Sequence, residues 1–123
     1  MLNFPPGIQV FMAIEPVDMR KSFDGLSAAV QAVFERNVLD GHLFLFLNRR
    51  RDRIKILWWD RDGLAIWSKR LELGSYEVPR HDPNTPRLLL DATQLALLLN
   101  GVRIDSAQRR RRYVRPPSAA AVD

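Results

Sequence analysis

Residues 42–71, HLFLFLNRRRDRIKILWWDRDGLAIWSKRL, leave the chain little choice of fold. Residues 43–47 are wholly apolar. Residues 53–59 set Ile54, Ile56 and Trp58 on one face of an extended segment and Lys55, Leu57 and Trp59 on the other, because side chains alternate along a strand. Residues 64–71 divide the same way, with Leu64 and Ile66 opposite Ala65, Trp67 and Lys69. Connections this short force antiparallel neighbours, since a parallel crossover needs a dozen or more residues. The spacing therefore predicts a three-stranded meander. Its first loop is Asn48-Arg49-Arg50-Arg51-Asp52. Its second, Asp60-Arg61-Asp62-Gly63, offers Gly63 as the residue free to take positive φ. A hydrophobic sheet with a cationic tip follows from the pattern.

The flanking segments cover that sheet or extend it. Residues 7–14 alternate Ile8, Val10, Met12 and Ile14 against Gln9, Phe11 and Ala13, which predicts a strand added to one edge of the meander. Pro16 ends it, and Asp18 is placed to cap a following helix. Phe23, Leu26, Val30, Val33 and Phe34 recur at helical spacing, so one long helix ending near Asn37 is expected across a sheet face. Residues 75–78 are expected to form a fifth strand, and the proline-rich residues 79–86 a loop. Asp91-Ala92-Thr93-Gln94 has the form of a capping box. Leu95, Leu98 and Leu99 then make the buried stripe of a short helix closed by Asn100-Gly101. The expected fold is α+β: an antiparallel meander of about five strands, one long helix packed on a face, and a short C-terminal helix. Residues 1–106 are expected to be a single domain, and residues 107–123 a basic, disordered tail.

Composition narrows the function. The 123-residue chain is 46% hydrophobic, which suits a packed core. It has no cysteine, which excludes disulfides and thiol chemistry and fits a reducing compartment. No apolar run approaches the ~20 residues of a membrane span, and no secretory leader pattern begins the chain, so a soluble cytoplasmic protein is expected. The net charge is +5, and lysine occurs only at positions 21, 55 and 69. Arg49, Arg50, Arg51 and Arg53 form one arginine cluster; Arg109, Arg110, Arg111, Arg112 and Arg115 form a second. The planar guanidinium is suited to bidentate phosphate contacts. Two clusters in so short a chain point to nucleic acid, alone or beside a partner protein. The plainer alternative is a solvated loop and tail that keep the chain soluble. Arg20 and Lys21, expected in a helix's first turn, would suit a docked anion there, unless they only pair with Asp18, Asp24 or Glu15.

Catalytic constellations are sparse. Asp60 and Asp62 flank Arg61 in a turn, where aspartate is favoured for backbone hydrogen bonding. Asp52 falls at the opposite end of the second strand, some 20 Å or more from Asp60 at ~3.3 Å per residue, so the three cannot share one ion. Two histidines, His42 and His81, are too few for a zinc site. There is no nucleophile motif and no glycine-rich phosphate loop. No catalytic residue, metal or cofactor is expected. Trp58 reads as core, while Trp59 and Trp67 are candidates either for the core or for a partner-binding patch.

Several of these stretches together resemble a known family. Asp18-Met19-Arg20-Lys21-Ser22-Phe23-Asp24-Gly25-Leu26, then Gly41-His42-Leu43-Phe44, then residues 49–60 (RRRDRIKILWWD) with Asp62-Gly63-Leu64 and Lys69-Arg70-Leu71-Glu72, are similar to the TnpB accessory proteins of the insertion-sequence-sixty-six transposons. Gln94-Leu95 and Leu98-Leu99-Asn100-Gly101 match the same pattern, and the likeness spans roughly residues 5–104. It departs at Val78, where the family carries a large aromatic, and in the arginine-rich tail. The resemblance implies a bacterial mobile-element protein that assists transposition, the phosphodiester chemistry belonging to a separate, larger transposase. It supplies no catalytic residue.

Together these point to a non-catalytic accessory factor that binds DNA phosphates through Arg49, Arg50, Arg51 and Arg53, with Arg20 and Lys21 as a second contact and the tail arginines beyond. Two alternatives belong to other classes. One is a protein-interaction module docking on the transposase through Trp59 or Trp67; the other is a metal-dependent nuclease.

Overall fold

The computed structural model describes residues 7–101. The arginine tail and the expected boundary near residue 106 lie outside the described residues. Five strands form one sheet in the order β4-β3-β2-β1-β5. They are β1 (Val10–Ala13), β2 (Leu43–Leu47), β3 (Arg53–Asp60), β4 (Gly63–Arg70) and β5 (Arg87–Leu90). The meander of β2, β3 and β4 is as its pattern predicts, with Leu47 opposite Ile54 and Asp60 opposite Gly63.

The sheet as a whole is mixed rather than antiparallel. Residues 14–42 carry the chain back across one face, long enough for a crossover, so β1 lies parallel to β2 with Phe11 beside Phe44. β1 is added to the β2 edge of the meander as expected, and β5 pairs antiparallel on its far side. The fifth strand is thus Arg87–Leu90 and not 75–78. Residues 75–78 instead pack beneath the sheet, with Tyr76 buried and its N–H donating to the Arg51 carbonyl at 2.6 Å.

The expected long helix is shorter and changes winding. It comprises α1 (Phe23–Ala29) and a π-helical turn at Val30–Phe34, and ends where Glu35 takes a left-handed φ of 55°. Leu26, Val30 and Phe34 are buried against Phe11, Phe44, Phe46 and Leu57, but Phe23 has slipped off the stripe and is exposed. Arg87 reaches from β5 to donate to the Val33 carbonyl at 3.0 Å, satisfying one acceptor at the helix end. Asp18 does not cap the helix; the cap position is Ser22.

The opposite face is covered by the chain from Leu71 to Val78 and by α2 (Ala92–Asn100). There Met12, Leu43, Leu45, Ile54 and Ile56 pack with Tyr76, Leu98 and Leu99. The capping box at Asp91 and Gln94 forms in both directions, and Gly101 closes α2 at φ 77°. In the β3–β4 turn, Arg61 rather than Gly63 takes the positive φ, at 57°. Among the described residues no helix is long and apolar enough to cross a membrane.

Candidate nucleic-acid interface

The loop between β2 and β3 is organised by one side chain. Asn48 Oδ1 accepts from the N–H groups of Asp52 (3.1 Å) and Arg53 (3.0 Å), and Asn48 Nδ2 donates to Asp52 Oδ1 at 2.6 Å. The Asn48 carbonyl also accepts from Arg51 N–H. This is the local bonding that makes asparagine a turn former. The loop is held from outside as well, since the Asp52 carbonyl accepts from Leu71 N–H at 2.7 Å and that of Arg51 from Tyr76 N–H. A run of arginines that would repel one another in a loose loop is thereby fixed in place.

Val17 N–H donates to the Leu47 carbonyl at 2.8 Å, which lays residues 16–20 beside the end of β2. A groove of about 770 Å3 opens between that segment and the loop, lined by Arg20, Arg49, Arg50, Arg53 and Arg70 together with Asp18 and Asp52. The structure therefore brings Arg20 to the arginine tip, which sequence alone had kept as a separate contact. Arg51 is exposed but does not line the groove; its φ of 59° belongs to the loop's turn. Lys21 does not line it either, and its carbonyl accepts from Lys55 Nζ at 2.8 Å.

Arg20 and Lys21 sit before α1 and not in its first turn, so the helix-start geometry expected for them is not formed. Arg20 instead grips Asp18, Nη2 to Oδ2 at 2.7 Å and Nε to both carboxylate oxygens. That pairing, with Arg20 N–H also donating to the carboxylate, holds the Asp18 pKa down at about 2. Asp18 in turn raises the Arg20 pKa.

Arg70 was missed from sequence, although the register could have found it. A two-residue turn pairing Asp60 with Gly63 puts Arg70 directly opposite Arg53. Like charges directly opposed destabilise a sheet. Arg70 is partly offset by Glu72, its Nη2 lying 2.9 Å from Oε1. Among the described residues, Arg49, Arg50, Arg51 and Arg53 form no salt bridge. A second hollow of about 640 Å3, at the end of the π-helical turn, has already engaged its cations: Arg36 lies over the Phe11 ring at 4.4 Å and Arg87 pairs with Glu35.

The tryptophans part company. Trp58 and Trp67 pack against the Ile54–Ile56–Tyr76 core, whereas Trp59 faces the α1 side, opposite Leu64, and joins neither core cluster. Trp59 and Trp67 thus lie on opposite faces and do not form one patch. Asp60 and Asp52 end opposite ends of β3, and among the described residues no group of three or more His, Cys, Asp or Glu is placed to hold a metal ion.

Comparison with known proteins adds family evidence. A family model described as "IS66 Orf2 like protein" matches residues 8–109. The chain is 33% identical over 102 residues to the uncharacterized protein y4hO of Sinorhizobium fredii, covering 83% of this chain and 87% of that one. It is 29% identical over 121 residues to the uncharacterized protein y4jC of the same organism, covering 98% and 100%. No solved structure matches the chain.

Proposed function

The chain belongs to the family of IS66 Orf2 like proteins, accessory proteins of an insertion sequence, and from that premise we propose that it acts in transposition by holding DNA through its phosphates. The contacts are Arg49, Arg50 and Arg53, with Arg20 and Arg70 across the groove. Lys21 and Arg51 lie outside the groove and add charge beside it, and the tail arginines 109–112 add to the chain's positive charge. One observation carries the reading: three exposed guanidinium groups without a carboxylate partner among the described residues share a groove with two more. Contacts of this kind position DNA without reading bases, so recognition is weakly sequence-specific. The protein itself does no phosphodiester chemistry in this reading; the transposase of the same element does.

Salt dependence tests it. If only Arg49, Arg50 and Arg53 neutralise phosphates, affinity falls about 40-fold between ~50 and ~200 mM salt; if Arg20 and Arg70 also let go of their carboxylates, it falls about 500-fold. A flat response rejects phosphate binding. The Arg49/Arg50/Arg51→Ala triple variant should lose most of the affinity, and Arg49/Arg50→Ala nearly as much, because Arg51 lies outside the groove. Wild-type affinity in the triple variant rejects the reading.

Trp59 supports a second reading, docking on the transposase, because it is a half-buried tryptophan that neither core cluster uses. Co-purification with transposase from nuclease-treated, high-salt extract that is lost on Trp59→Ala would favour it over direct DNA binding.

A further inference from the structure

β4 is the outer strand of the sheet, eight residues long, without proline, and paired to β3 in unbroken register. Among the described residues nothing pairs with its outer side. Lys69 and Arg70 guard only its last two residues, and soluble proteins rarely leave six uncharged residues of an edge open, because free N–H and C=O groups template another strand.

The parity of the sheet's hydrogen bonds decides which groups face outward. Asn48 N–H donates to the Arg53 carbonyl, so odd-numbered residues of β3 bond toward β2 and even-numbered ones toward β4. Their partners on β4 are odd-numbered, and Leu71 N–H bonding to the Asp52 carbonyl continues the series. The backbone groups of Leu64, Ile66, Ser68 and Arg70 therefore point away from the sheet.

We propose that β4 pairs antiparallel with β4 of a second copy of this chain, about a twofold axis through Ile66. Outward groups meet only if even-numbered residues face even-numbered residues, which leaves three central registers. Centring on Ala65 sets Asp62 against Ser68, and centring on Trp67 brings it toward Glu72; neither gives that carboxylate a cation. Centring on Ile66 brings Asp62 beside Arg70, sets Leu64 against Ser68 and Ala65 against Trp67, and closes about six backbone hydrogen bonds. Arg70, opposed within its own chain by Arg53, gains a carboxylate on its free side. If the DNA reading also holds, the two Arg70 positions stand ~27 Å apart on one face, at ~3.4 Å per strand residue.

The test needs no DNA. Light scattering of the full chain should give twice the 14.2 kDa of one copy. Ser68→Pro removes an outward N–H and leaves the β3 bonds intact, so it should give a monomer with an unchanged far-ultraviolet circular dichroism spectrum. Asp62→Arg should weaken the dimer at least about tenfold, and adding Arg70→Asp should restore it. A monomeric wild type overturns the proposal. If in that monomer the Ile66 and Ser68 amides resist hydrogen exchange, another segment of the same chain covers the edge instead of a second copy. A dimer indifferent to both Ser68→Pro and Asp62→Arg overturns it equally.

Discussion

Asp18 and Arg20 make the groove's most consequential pair. The Asp18 carboxyl is held at about 2 by its bonds to Arg20, below its ordinary 3.8. Whatever the pair contributes is therefore fully present above the ordinary carboxylate range and is lost as pH falls toward 2. At neutral pH the carboxylate competes with any phosphate for Arg20. Asp18→Asn should release that guanidinium and remove a negative charge from the groove, tightening DNA binding severalfold in a fluorescence anisotropy titration. Weaker binding would mean that Asp18 aims Arg20 at the ligand instead. The sequence offers this pairing only as the plainer alternative to a docked anion, without the geometry that decides between them. Spacing showed only that Asp18 and Arg20 were near in the chain, and the expected helix start gave them a different role. Arg70 was legible in principle, because hairpin register is arithmetic once Asp60 and Gly63 are paired.

At the scale of elements, the loop around Asn48 matters more than its charge. Asn48→Ala changes no charge, yet removes the acceptor for two backbone N–H groups, which should cost about 1–2 kcal/mol in urea denaturation. It should also weaken DNA binding at fixed salt, because the arginines lose their common frame. Unchanged binding would mean the arginines act as a loose cationic brush. The three strands of the meander were readable because alternation and short turns leave few alternatives. β5 was not: Arg87-Leu88-Leu89-Leu90 shows no alternation, and its place is set by pairing with β1 rather than by its own pattern. The π-helical turn at Val30–Phe34 was also hidden, since apolar residues at that spacing suit an ordinary helix equally well.

For the whole molecule, the sheet is a middle layer with an apolar core on each side. The α1 side is built on a triangle of phenylalanine rings, in which the fully buried Phe44 stacks on Phe11 at a centroid distance of 5.7 Å and meets Phe34 tilted at 5.2 Å. Phe44→Ala should therefore cost about 3–5 kcal/mol, a large share of a domain stability of ~5–15 kcal/mol, and be seen as a lower denaturation midpoint at unchanged slope. Among the described residues each face of the sheet carries a covering layer, and the arginine groove and the outer side of β4 remain open.

The position of β1 between β2 and β5 has a consequence for biosynthesis. The earliest strand of the described segment acquires its two neighbours only from residues 43–47 and 87–90. The local hairpins of β2, β3 and β4 can close while the chain is still growing, but β1 stays unpaired on one side until nearly the whole described segment has been made. A nascent chain halted before residue 87 would leave one side of β1 without its strand partner, and residues 87–90 are what close it.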